Sequence, residues 1–294
     1  MIEDNISGLN NLIEKELNSS DRLSKPDFSQ KTGRELLAFY LQMKFQQLKA
    51  FDSGAEKPIF IDVKDDFITR FSKRLISNPD KKIMIGITGE SASGKSTICR
   101  AIFDFIKSLE MPVSILTTDN YFNDISALIK QYGTFDALRD NGYDIDSPES
   151  FQLETLKEDL KLLSQGENIY APEYLPNGTG VSIPKSKFVP SNKIIIIEGI
   201  ASMFEDVEDI FDIKVYVETD LELRKERFLR RAYTERNQDL ENAKKHWEYV
   251  LGAGQKYVQP ARKYSDIVLN GDTDIDYFRQ LLAYINTITN NFEN

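Results

Sequence analysis

An α/β fold is expected for this chain: a three-layer sandwich with a parallel five-stranded sheet between helices, plus an N-terminal helical extension. Three features carry that expectation. From residue 82 onward, short apolar runs alternate with amphipathic helical stretches. Residues 194–197 are four consecutive isoleucines, the composition of a strand covered on both faces. Residues 1–80 show helical periodicity and no strand pattern, which sets them apart from an α/β domain at 81–294.

Within the extension, Leu37, Leu41, Phe45 and Leu48 form a stripe at helical spacing, flanked by Leu36 and Tyr40. A second amphipathic stretch, "DDFITRFSKRLISN", places Phe67, Phe71 and Leu75 on one face. Between them "FDSGAEKP", with Gly54 and Pro58, reads as a loop. Two readings stand for this preface. It is a helical layer packed on the main domain, or a dimerisation arm that would make the protein a homo-oligomer.

The expected strands of the main domain are 83–87, 113–116, 194–197, 213–217 and 267–269. A helix should start near Ser147 and Pro148, a suitable N-cap and first-turn pair, and close at Gly166. The last helix should span about 274–289, with Phe278, Leu282 and Ile285 turned inward. The chain contains no internal repeat and no low-complexity tract.

Composition narrows the function classes. Apolar residues make up 40% and charged residues 29% of the 294, enough for a real core and against wholesale disorder. The formal charge of −10 argues against nucleic acid as a partner, because phosphodiester binding draws its affinity from lysine and arginine. No apolar run approaches the ~18 residues of a membrane helix, so no membrane partner is expected. The acidic N-terminus lacks a signal-peptide layout, and a cytoplasmic location is expected. The single cysteine, Cys99, excludes an internal disulfide, and the single histidine, His246, excludes a multi-histidine metal site. Cys99 reads as core, and His246 as a surface or packed residue with acceptor contact as the lesser alternative.

The segment "IMIGITGESASGKST", 83–97, fits a phosphate-binding loop of the form Gly89-x-x-x-x-Gly94-Lys95-Ser96. Glycine lets the backbone of Gly89, Glu90, Ser91, Ala92, Ser93 and Gly94 turn several N–H groups toward one anion. The helix starting near Lys95, Ser96 and Thr97 adds its unsatisfied N–H groups and the positive end of its dipole. Lys95 can reach the β- and γ-phosphates and Ser96 can offer a hydroxyl to Mg2+. A nucleoside triphosphate is therefore the expected ligand. The Asn-Lys-x-Asp element of guanine-nucleotide switches is missing, since Asn192-Lys193 runs on into isoleucine. "LLSQGE" at 162–167 superficially matches a transporter ATPase signature, but Gly166 is better explained as a helix C-cap.

Phosphoryl transfer to an alcohol needs further groups: a carboxylate for the acceptor hydroxyl, another for the metal, and cations for developing charge. The second strand ends in "TTDNYF" and puts Asp119 at the strand edge where ligands of open α/β sheets bind. A turn or N-cap role for Asp119 is equally open. Glu198 follows the four isoleucines at the same rim, where a purely structural role is harder to defend. The segment "LRKERFLRRAYTER" gathers Arg224, Lys225, Arg227, Arg230, Arg231 and Arg236. Arg224, Arg227 and Arg231 share a helix face, while Glu226 and Arg230 pair on another. This stretch is either a solvated helix or a lid, near 223–240, that brings arginines over the phosphates and excludes water.

Together these segments resemble the uridine kinase and phosphoribulokinase family of P-loop kinases. "GITGESASGKST" is similar to its P-loop and "TTDNYF" to its Asp-x-[Tyr/Phe]-[Tyr/Phe] element. "YDIDSPESF" resembles its Phe-Asp-His-Pro-x-x-Phe stretch, and "APEYLPNGT" its Pro-x-Tyr segment. "IIIIEG", the Thr-Asp turn, the arginine stretch and "YVQPARKYSDIVL" follow in the family's order, so the likeness covers about 82–270. The resemblance implies a P-loop kinase fold with strand order 2-3-1-4-5, and ATP with Mg2+ as cofactors. It implies Asp119 as catalytic base, Ser96 and Glu198 as Mg2+ partners, and Arg231 and Arg236 as lid arginines on the phosphates. Asp146 would hold ribose hydroxyls, and Tyr121 and Tyr174 would line the pocket of a nucleoside or sugar-like acceptor. The departures fall on the acceptor side. Ser147 stands in place of a histidine, and the histidine expected after Tyr174 is absent. Phe228 and Gln238 replace arginines and Ala232 an aspartate, and His246 falls near a position normally glutamine. The expected activity is ATP- and Mg2+-dependent phosphorylation of a small hydroxyl acceptor. The alternative is a nucleotide-binding regulatory or scaffolding protein derived from such a kinase.

Overall fold

A computed structural model describes residues 2–18, 27, 29–78, 80–175, 178–205, 207–235 and 238–290. The chain opens with α1 (Ile2–Leu17), α2 (Lys31–Asp52), β1 (Phe60–Val63) and α3 (Phe67–Ser77). Next come β2 (Ile83–Thr88), α4 (Lys95–Ser108), β3 (Val113–Thr117), α5 (Ser126–Tyr132) and α6 (Phe135–Asp140). The middle of the chain holds α7 (Leu153–Gln165), β4 (Ile169–Tyr174), β5 (Ser182–Val189) and β6 (Ile194–Glu198). It closes with β7 (Ile213–Glu218), α8 (Leu221–Thr234), α9 (Leu240–Ala253), β8 (Ile267–Asn270) and α10 (Ile275–Asn290).

The main sheet has the order β1-β8-β7-β2-β6-β3. Its five parallel strands, numbered among themselves, run 2-3-1-4-5. The sheet is six-stranded, not five-stranded, because β1 adds antiparallel to β8. Residues 1–80 are therefore not wholly helical. The strand forms because the buried Asp52 carboxylate, at the end of α2, accepts from the N–H groups of Ile59 and Phe60, both at 2.9 Å. Tyr277 of α10 donates to the same carboxylate at 3.0 Å, so one side chain ties α2, β1 and α10 together.

The four isoleucines of β6 divide between two cores. Ile195 and Ile197 join Met84, Leu116 and Tyr216 on the face covered by α7. Ile194 and Ile196 join Ile85, Ile87, Val215 and Val217 on the face covered by α4 and α10. Leu9 of α1, Leu48 of α2 and Ile59 belong to that second core, so the preface is packed on the main domain. Cys99 of α4 is buried there too, and burial pushes its thiol up to about 12.

The helix expected from Ser147 splits in two. Pro148–Ser150 form a single 3-10 turn, and Phe151 is extended, bridged to Phe122, before α7 begins. Gly166 caps α7 in the left-handed conformation, as its position suggested. The antiparallel ribbon β4–β5 was not anticipated.

Two arginines of α3 anchor this helix at the amino ends of the strands, away from the P-loop. Arg74 forms a bidentate pair with Asp212 at 2.9 and 3.1 Å, and the Met84 N–H donates to the same carboxylate at 2.9 Å. Arg70 donates to Asp266 at 2.6 Å, whose other oxygen accepts from the Lys214 N–H at 2.9 Å. Removing one partner of a buried pair leaves a desolvated charge behind. Asp212→Ala should therefore lower stability by about 3 kcal/mol in urea unfolding. Unchanged stability would mean that α3 is not held this way.

Candidate active site

The P-loop connects β2 to α4 at the centre of the sheet. Gly94, the N-cap of α4, has φ +87°, a conformation that costs a residue with a Cβ. The turn leaves the first N–H groups of α4 facing the space beyond the strand tips.

Register then sets the second group. Glu198, the last residue of β6, lies opposite Ile87 of β2 on one side and Thr117 of β3 on the other. The Ser96 hydroxyl donates toward its two carboxylate oxygens at 3.4 and 3.3 Å, and Thr117 Oγ1 donates at 3.4 Å. Burial pushes the Glu198 carboxyl above the usual carboxylate range. The Lys95 ammonium pulls it back down, and the charge of Asp119 adds to the rise. Asp119 is exposed in the 3-10 turn Thr118–Tyr121 that follows β3, and its own N–H donates to Thr117 Oγ1 over a long 3.4 Å. Ser96, Glu198 and Asp119, expected together at the rim of the sheet, do gather there: Ser96 reaches Glu198, and Glu198 feels the charge of Asp119.

The residue after Glu198 is constrained by this proximity. Gly199 has φ +134°, and a Cβ on it would lie 2.0 Å from Thr118 Oγ1. The bare backbone lets the turn carrying Asp119 lie directly over the end of β6.

The arginines do not act as one set. Arg224 is buried beneath the loop, donating to the Ser91 carbonyl at 3.2 Å and pairing with Glu90 at 2.8 Å. Arg227 donates to the Gly271 carbonyl at 3.0 Å. Arg231, in the last turn of α8, has a buried Nε with no hydrogen-bond partner, so this donor remains to be satisfied. Arg236 lies outside the described residues. The Glu90 side chain also turns away from the cradle, which leaves only its backbone for phosphate contact.

On the acceptor side one expectation is corrected. Tyr121 does not line a pocket: it is fully buried, and its hydroxyl donates to Asp159 at 2.7 Å. The 3-10 turn points position 121 into the core and hands the open side to Phe122. That ring is tilted against Phe151, with centroids 4.2 Å apart, and lies 5.3 Å from Tyr174, making a wall that sequence reasoning missed. The second aromatic of "TTDNYF" was the available signal. Tyr174 ends β4 with its hydroxyl buried and without a partner, and burial pushes the phenol up to about 12. Asn120, next to Asp119, likewise keeps a buried Nδ2 without a partner. Asp146 is half-buried, its N–H donating to Asp144 at 3.2 Å.

Phe228, Ala232, Gln238 and His246, four of the positions expected to depart from the family pattern, gather in one place. Phe228 and Ala232 are buried against Trp247, Ala243 and Ala92 in a small apolar core. His246 packs edge-on against Phe228 with centroids 5.0 Å apart, and its Nδ1 lies 3.3 Å from Gln238 Oε1.

A strand-loop-helix cradle flanked by two carboxylates at adjoining strand ends places the site in the P-loop kinase class. A family profile described as "Phosphoribulokinase / Uridine kinase family" matches residues 84–276. The uridine kinase of Clostridium novyi (strain NT) is 33% identical over 192 residues, covering 64% of this chain and 87% of that protein. Uridine-cytidine kinase-like 1 of Mus musculus is 32% identical over 189 residues, 63% of this chain, which spans only 33% of that longer relative. Among solved structures, the YGR205w protein shares the fold with a TM-score of 0.50 at 15% identity, covering 72% of this chain and 93% of that one. The chain belongs to the phosphoribulokinase / uridine kinase family.

Gly199→Ala should cost about 1–3 kcal/mol, through strain and through the clash with Thr118. Chemical denaturation measures it; a neutral result would separate the Asp119 turn from the tip of β6.

Proposed function

We propose that this protein transfers the γ-phosphoryl group of ATP to a hydroxyl of a small nucleoside or sugar-like acceptor. One observation carries the reading: the hydroxyls of Ser96 and Thr117 both turn to Glu198, within reach of the charges of Lys95 and Asp119.

Donor set and charge fit a divalent ion beside a triphosphate. Among the described residues no group of three histidine, cysteine, aspartate or glutamate side chains gathers, so a protein-only metal cage is not what this site offers. Ser96 and Glu198 would hold Mg2+ jointly with phosphate oxygens. Bound there, the ion supplies positive charge that neutralises the phosphates. Lys95 and the loop amides orient the β- and γ-phosphates. The Asp119 carboxylate accepts the proton of the acceptor hydroxyl as its oxygen bonds to the γ-phosphorus and ADP departs. Arg231, with its unsatisfied Nε, stabilises charge on the group in transfer. Phe122 and Tyr174 offer an aromatic wall to the acceptor, and the Tyr174 hydroxyl and Asn120 Nδ2 offer it polar contacts.

ADP formation should be measured with uridine, cytidine, ribose, ribulose 5-phosphate and pantothenate as acceptors. Turnover with at least one acceptor is expected, whereas silence across a wide panel with ATP still bound would favour a regulatory or scaffolding role. In the active pair, Asp119→Asn should lower turnover by roughly 100- to 10,000-fold while nucleotide affinity stays nearly constant. Undiminished turnover in that variant would remove Asp119 from the chemistry. Chelation by EDTA should abolish turnover and added Mg2+ restore it; activity persisting in EDTA would contradict a metal role for Ser96 and Glu198.

A further inference from the structure

A carboxylate inside a phosphate-binding loop is a liability, because it repels the ligand that the loop exists to hold. In this protein the second loop position is Glu90, and its charge is dealt with on the far side of the loop. Oε2 pairs with Arg224 at 2.8 Å and accepts from the Tyr216 hydroxyl at 3.3 Å. Oε1 packs so closely on the chain after α9 that a Cβ at Gly254 would lie 2.9 Å away. Both members of the pair are nearly sealed from water, with side chains 4% and 12% exposed.

Arg224 does more than neutralise. Its Nε donates to the Ser91 carbonyl at 3.2 Å, so one guanidinium grips two consecutive loop residues. The same group lies over the Trp247 ring, 5.6 Å from its centroid, and Trp247 is buried between α8 and α9. Ala92, the next loop residue, packs into that apolar core with φ +63°, an uncommon conformation for a residue other than glycine. Three successive loop residues are thus held from behind by the arginine-bearing helix pair.

We propose that the Glu90–Arg224 pair is a positioning device that sets the phosphate loop in its binding conformation and couples it to the packing of α8 on α9. The inference rests on the nucleotide-binding reading of the site. A planar guanidinium is required because it serves a carboxylate and a carbonyl at once, which an ammonium on a lysine stem does not reproduce. The alternative is a pair that serves stability alone. The two roles separate in a double variant, because removing one partner strands a buried charge whereas removing both does not.

The test uses the full chain and a fluorescent N-methylanthraniloyl-ADP probe, with thermal unfolding read in parallel on the nucleotide-free protein. Glu90→Gln, Arg224→Gln and Arg224→Lys should each weaken probe binding by about tenfold or more. Combining Glu90→Gln with Arg224→Gln should recover most of the lost melting temperature, while probe affinity stays about tenfold down. Recovery of affinity together with melting temperature would reduce the pair to a structural one and overturn the proposal. So would native affinity in Glu90→Gln alone, which decides the matter if an Arg224 variant does not fold. A native protein that bound no probe would instead fail the nucleotide-binding reading itself.

Discussion

The register of β6 between β2 and β3 is the constraint on which the site depends. In a parallel sheet a shift of one residue turns every side chain to the other face. The four isoleucines of β6 would tolerate such a slip, since both faces are already apolar. What does not tolerate it is the strand's ends. Lys193 precedes the run and Glu198 follows it, and a slip either way would draw one of these charges into the sheet. The observed register keeps Glu198 at the rim, opposite Ile87 and Thr117, where Ser96 reaches it. Core packing and site geometry are therefore set by the same short strand.

Charge at that rim is balanced locally in a chain that is strongly acidic as a whole. Burial and Asp119 hold the Glu198 carboxyl high, and Lys95 offsets them. A triphosphate adds negative charge to this point, so the cations brought near it decide whether the ligand is attracted. The arginine stretch supplies them unequally. Arg224 and Arg227 are spent on the loop and the Gly271 carbonyl, while Arg231 keeps a buried donor unsatisfied. On the α8–α9 pair, by contrast, Phe228 and Ala232 close an apolar core around Trp247.

Much of this was legible in the sequence because the central strands are covered on both faces and read as unbroken apolar runs. The loop motif was legible because its glycines, lysine and serine are required together at fixed spacing. The failures have equally local causes. The strand β1 is only four residues long and is nucleated by a side chain, Asp52, that precedes it by eight positions, which no periodicity reveals. Tyr121 and Phe122 are adjacent aromatics, and only the 3-10 turn decides which one faces the core. The spacing of Arg224, Arg227 and Arg231 shows a shared face but not that Arg224 turns inward onto the loop while Arg227 goes to the Gly271 carbonyl. Glu90 belongs to the cradle by position alone, since sequence shows where a residue sits in a loop and not which side its carboxylate takes.

The most direct test of this account is a crystal structure with Mg2+ and a non-hydrolysable ATP analogue. The ion is expected beside Ser96 Oγ and Glu198, with the Asp119 carboxylate facing the terminal phosphate. A triphosphate seated in the loop while both carboxylates turn away from it would contradict the account.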